Sequence, residues 1–262
     1  MATGMRLTAV TRLGFRAQMG GLFVLPALLW GGLAASSLLV GYLLAERGLS
    51  NRALGLVMGF GAGALISAIA YELVPESAIV GWEMAVAFVL GAGAFFLVDY
   101  LVDHMGGAHR KKIVGKRVEG SGAAIFIGTL LDAIPESLVL GIGLALDGSV
   151  SVAFLAAVFI SNLPEGVAGT VNLAAAGHSR RSILWMWIVM VLVSAGCAAL
   201  GYVLIQRVPT ADYSVVQAFA GGAMLMMLAD VMMPEAFEHG GRLVGLFTVL
   251  GFAAAAALSI LA

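Results

Sequence analysis

Charge is scarce in this sequence. Its 14 Lys and Arg and 15 Asp and Glu make up 11% of 262 residues, against 61% for the hydrophobic set. A soluble domain carries about 25% charged and 45–50% apolar residues. The shortage excludes a disordered chain, a nucleic-acid-binding domain and an ordinary soluble enzyme. Cysteine is nearly absent, and the single Cys197 excludes both an intrachain disulfide and a cysteine-based zinc site. Histidine is limited to four residues, none in the middle of a long apolar run, and no H-E-x-x-H motif occurs. Proline is limited to six, and four of the six precede a glutamate.

What is present is length and hydrophobicity. The mean hydropathy is +1.03, and a membrane-spanning helix needs about 20 mostly apolar residues. Eight such runs are predicted, at about 21–45, 54–76, 83–103, 121–146, 150–176, 182–206, 214–238 and 242–262. The fold class is therefore an all-α polytopic membrane protein. Residues 1–20 form an N-terminal tail, and 21–262 form one transmembrane domain with short connections. The 35 glycines, about twice average usage, suggest closely packed helices.

The net charge of −1 conceals a segregation. One set of alternate connections holds Arg47, Arg52, Arg110, Lys111, Lys112, Lys116, Arg117, Arg180, Arg181 and Arg242; the other holds only Arg207. The positive-inside tendency puts the rich set, including the basic loop 104–119, in the cytoplasm and both termini outside. The tail runs against this pattern, with Arg6, Arg12 and Arg16 on the outer side. Leu7, Val10, Leu13 and Ala17 share a helical face there, as in an interfacial helix. The apolar run behind the tail is too long for a signal peptide and lacks a cleavage pattern, so it reads as a retained first span.

Four copies of Pro-Glu followed by a small residue punctuate the spans: Pro75-Glu76-Ser77, Pro135-Glu136-Ser137, Pro164-Glu165-Gly166 and Pro234-Glu235-Ala236. The first and last sit in longer matching segments. At an offset of 159, Phe60, Gly63, Ala64, Ala70, Pro75 and Glu76 match Phe219, Gly222, Ala223, Ala229, Pro234 and Glu235. Five crossings separate these spans, so they run in opposite directions. That predicts inverted three-helix repeats around a central helix pair, a common transporter plan.

The central pair carries the other two copies, as Asp132-Ala133-Ile134-Pro135-Glu136-Ser137 and Ser161-Asn162-Leu163-Pro164-Glu165-Gly166. Each begins about 16 Å into its span, near the middle of a core about 30 Å thick. A carboxylate at that depth costs at least about 2.5–3.5 kcal/mol, and no Lys or Arg lies in either span to neutralise it. Protonation or a bound cation remains. Asp132 and Glu136 share one helical face, as do Ser161 and Glu165. Where those faces meet, three carboxylates and a hydroxyl would converge beside Asn162. Each proline also leaves the carbonyl four residues back, on Leu131 and Ile160, without its helical bond.

These two motifs and their placement resemble the ZIP (Zrt-/Irt-like) family of divalent metal transporters. The glycine-rich openings and Pro-Glu ends of spans two and seven look like its bacterial members. The resemblance covers most of the chain from about residue 21. It implies eight spans, outside termini, import into the cytoplasm, sliding of one helical group against another, and a homodimer. It also implies a metal site on Asp132, Glu136, Ser161, Asn162 and Glu165, with departures. Asp132 stands where the family has His, Ala133 where it has Asn, Ser161 where it has His or Gln, and Asn162 where it has an acid. One ion rather than two is expected. The family points to zinc, while an oxygen-only set suits manganese or ferrous iron. No resident cofactor is implied.

Outside the central pair, Glu72 and Glu76 near the outer end of span two are placed to recruit cations. Asp230, Glu235, Glu238 and His239, with Asp99, Asp103 and His104, mark an exit toward the cytoplasm. Residues at helix ends also meet water and headgroups without further function. Rival readings are an intramembrane protease, which lacks any recognisable catalytic pair, a non-transporting relative of the family, and a cation-coupled transporter of another solute.

Overall fold

The computed structural model describes residues 4–73, 82–102, 104, 122–207 and 213–261. All its regular elements are helices: α1 Gly4–Ala45, α2 Asn51–Ala68, α3 Trp82–Val102, α4 Gly122–Asp147, α5 Val152–Ala175, α6 Arg180–Arg207, α7 Tyr213–Met227, α8 Met233–Gly240 and α9 Leu243–Leu261. Among the described residues, eight helices are long and apolar enough to cross a membrane, with α7 and α8 forming one span, Ser214–Gly240. The backbone is already helical through the segment read as a tail, since α1 starts at Gly4 and its candidate span at Val24.

Helix ends are set by local chemistry. Ser50, Ser151 and Ser179 each accept a hydrogen bond on the hydroxyl oxygen, from the backbone N–H of Ala53, Phe154 and Ser182 respectively. Each satisfies one of the N–H groups that a helix start leaves open. Gly148, Gly177 and Gly241 carry φ of +74°, +90° and +65°, the left-handed conformation that stops a helix without a Cβ penalty. The connections between α4 and α5, α5 and α6, and α8 and α9 can therefore be a few residues long.

The internal repeat extends from sequence to backbone. α2 ends in a π-helical turn, Ile69–Leu73, and α7 in another, Leu228–Met232. The two turns lie at the same offset of 159 as the matching residues. In the second, the Met233 N–H bonds back five residues to the Leu228 carbonyl. π-Turns are rare and concentrate at functional positions.

Packing repeats in the same way. α2 lies on α9 and α3 on α7. A Cβ at Gly63 of α2 would meet the Thr248 carbonyl of α9, and one at Gly222 of α7 would meet the Phe88 carbonyl of α3. Gly251 of α9 faces the Phe60 carbonyl, and Gly91 of α3 faces the Phe219 carbonyl. Each pair of contacts is the other carried forward by 159 or 160 residues. The remaining helices pack as α1 on α5, α4 on α6 and α1 on α6. There Gly41 and Gly166 bring α1 and α5 together, while Gly141 and Gly201 do so for α4 and α6. Between helices in lipid, dispersion and close backbone approach replace the hydrophobic drive that water supplies. These glycines are thus the means of cohesion.

Buried apolar residues gather mainly in two clusters. One contains Met58, Leu65, Phe95, Phe154, Met224 and Met227; the other contains Leu38, Ile125, Leu173, Ile183, Trp187 and Met190. Gly222→Val is expected to overpack the α3–α7 contact and destabilise the fold by about 1–3 kcal/mol. Gly93→Val, at a site with no atom within 4 Å of the added Cβ, should melt like the wild type. Thermal unfolding in detergent compares the two.

Candidate metal centre

The five central residues are all inside the bundle: Asp132 and Ser161 are 0% exposed, Glu136 1%, Asn162 2% and Glu165 3%. α4 and α5 continue through Pro135 and Pro164. Glu136 lies about 21 Å along α4 from Gly122, close to mid-depth. Its Oε2 accepts a hydrogen bond from Asn162 Nδ2 at 3.1 Å, and its Oε1 stands 3.4 Å from Ser161 Oγ. Ser161 also donates to the Val158 carbonyl at 2.9 Å. Asn162 Oδ1 is buried with no hydrogen-bond partner among the described residues.

The structure therefore brings Glu136, Ser161 and Asn162 together across the α4–α5 interface. Asp132 and Glu165 are buried on the same two helices. Among the described residues, however, no three His, Cys, Asp or Glu side chains stand together as a metal-holding group. Glu136, Asn162 and Ser161 bring together a carboxylate, an amide and a hydroxyl. This set suits a hard or borderline cation and supplies neither a nucleophile–base pair nor an imidazole.

Two further features of the site carry little signal in the sequence. Gly61 of α2 sits against Ser161, where an added Cβ would lie 2.9 Å from the Ser161 Cα. Any side chain there would push α2 off the site. On the other side of α5, the indole N–H of Trp187 donates to Thr170 Oγ1 at 2.8 Å, and Thr170 donates to the Gly166 carbonyl at 2.6 Å. Trp187 is fully buried, and Gly169 leaves room for its ring. This chain ties α6 to the backbone one residue past Glu165. Glycine spacing could have suggested the first feature; nothing in the sequence links residues 187 and 170.

Nearer the helix ends, Glu72 lies in the α2 π-turn, and its Oε1 accepts from Ser151 at 2.6 Å and Ser259 at 2.7 Å. It borders a cavity of about 40 Å³, room for a few waters, together with Asp147, Ser151, Gln217, Val139 and Phe154. At the opposite end Glu235 is 7% exposed, with Oε1 4.0 Å from His239 Nε2, and Asp99 is 3% exposed. Asp230, in the α7 π-turn, is exposed, as are Glu238 and His104. Glu76, Asp103 and the rest of the basic loop lie outside the described residues.

Comparison with known proteins adds relatives of similar length. The chain is 27% identical over 213 residues to the zinc transporter ZupT of Salmonella typhimurium, across 72% of this chain and 77% of that protein. The zinc transporters ZupT of Salmonella enteritidis and Salmonella agona match to the same extent, 27% over 213 residues. No protein-family model matches the chain.

Thr170→Val leaves the buried Trp187 N–H without an acceptor and should cost about 1–3 kcal/mol. Thr170→Ser keeps the hydroxyl and should recover most of that loss. Chemical or thermal denaturation in detergent measures both.

Proposed function

We propose that this chain carries divalent metal cations, zinc foremost and manganese or ferrous iron beside it, across the membrane toward the cytoplasm. The observation that carries this reading is the mid-depth contact of Glu136 with Ser161 and Asn162. A carboxylate held there by neutral donors, with no Lys or Arg in either helix, is suited to a cation that comes and goes. Asp132 and Glu165, buried on the same two helices, would complete an oxygen set, with Asn162 Oδ1 as a further donor. The similarity to zinc transporters supports the same reading, as does the resemblance of both central motifs to the ZIP family.

The route has an outer and an inner half. Glu72 and its adjoining cavity form the approach, and Glu235 lies on the departure side. Access alternates as α1, α4, α5 and α6 move against the repeated pairs α2–α9 and α3–α7, carrying the site between sides. In the resemblance the working unit is a homodimer in the bilayer of the plasma (inner) membrane, with both termini outside.

The test is uptake by purified protein in proteoliposomes, across zinc, manganese, ferrous iron, cadmium and magnesium. Wild type should accumulate at least one, and Glu136→Gln/Glu165→Gln should fall to the level of empty vesicles. Asn162→Asp adds a fourth acid and should tighten divalent binding roughly tenfold, since affinity follows ligand charge. Retained uptake in the double variant, or none by folded wild type, would overturn the reading.

A further inference from the structure

We propose that Glu235 and His239 form a second, weaker transition-metal site at the end of the bundle that carries the basic connections. Its role as an exit station rests on the transport reading; its existence as a binding site does not. The fourth Pro-Glu copy places Glu235 in the first turn of α8, and His239 follows at i+4, so the two project from one face. Both side chains are only 7% exposed, and His239 Nε2 lies 4.0 Å from Glu235 Oε1. That is too long for a hydrogen bond. An ion with ligands at about 2.0–2.2 Å in tetrahedral geometry needs its donors about 3.4 Å apart. A side-chain adjustment of about 0.6 Å would bring this pair to that spacing.

The scaffold around the pair is firm. A Cβ at Gly55 of α2 would lie 2.8 Å from the Ala236 carbonyl, so the start of α2 rests directly on α8. The chemistry differs from that of the centre. Imidazole with carboxylate favours late transition metals, while the central set offers oxygen alone. An ion leaving the centre would thus meet a nitrogen ligand that the centre lacks. No third His, Cys, Asp or Glu joins the pair among the described residues. The ion would keep waters on its open positions and leave readily.

The decisive measurement is zinc X-ray absorption on full-length protein in detergent, because the outer-shell scattering of an imidazole is diagnostic. The chain has four histidines, His104, His109, His178 and His239. Glu136→Gln/Glu165→Gln protein should bind one zinc per chain and show one imidazole. Adding His239→Ala should abolish both, whereas His104→Ala, His109→Ala and His178→Ala should leave them. His239→Gln keeps bulk and polarity and replaces the alanine variant if that one fails to elute as a single species. An imidazole signal that survives loss of His239, or no zinc on the double variant, would overturn the site. Because Glu136 and Glu165 are both removed and Asp132 is the one carboxylate left at the centre, the outcome read at His239 is independent of whether the central site transports anything.

Discussion

The structure is organised around one cost, that of holding a carboxylate in hydrocarbon. Glu136 lies near mid-depth at 1% exposure, and every element around it lowers that cost. Asn162 donates to one oxygen and Ser161 stands against the other. α2 closes over the pair because Gly61 has no side chain to keep it off. α5, which supplies both neutral partners, is held from behind by α1 through Gly41 and Gly166, and by α6 through Trp187 and Thr170. Buried polar groups are tolerable when they are paired, and pairing requires backbones close enough for short side chains to reach. Backbone contact at glycines and the polar centre are thus parts of one solution.

Much of the fold can be read from the sequence because membrane insertion imposes a coarse, regular signal. Apolar runs of helical length, alternate connections rich and poor in Lys and Arg, and the Phe60-to-Glu76 match with Phe219-to-Glu235 are long-range patterns. The two π-turns are different. Ile69–Leu73 and Leu228–Met232 contain no Gly or Pro, and Ala-Tyr-Glu against Ala-Asp-Val shares only its first residue. A widened turn is a backbone event fixed by neighbouring helices, so residue type says little about it.

The centre is legible in identity and less so in arrangement. Helical spacing places Asp132 with Glu136 and Ser161 with Glu165, and all are buried. Spacing cannot give the azimuth at which two helices meet or the rotamers that face each other. Those decide that Glu136 meets Asn162 and Ser161 without a three-acid cluster forming among the described residues. Glu72 shows the same limit. Its position in span two is plain, but its partners Ser151 and Ser259 come from the start of α5 and the end of α9. Contacts of that sequence separation follow only from the completed fold.

The repeat copies shape more faithfully than chemistry. Gly63 and Gly222, Gly91 and Gly251, and the two π-turns keep equivalent places. Yet the residue equivalent to Glu72 is Val231, and the residue equivalent to Ser259 is Asp99. A backbone built from two similar halves in opposite orientation can exchange their conformations at little cost, because each state is close to the other with its halves interchanged. Identical chemistry at both ends would then make the two states equivalent and give the pathway no polarity. The differences between the ends therefore matter as much as the likeness of the backbone. One end has a serine-lined carboxylate beside a small cavity, and the opposite end has a buried glutamate facing a histidine. On the transport reading, the symmetric packing allows the motion and these unmatched residues set the affinity that an ion meets on each side.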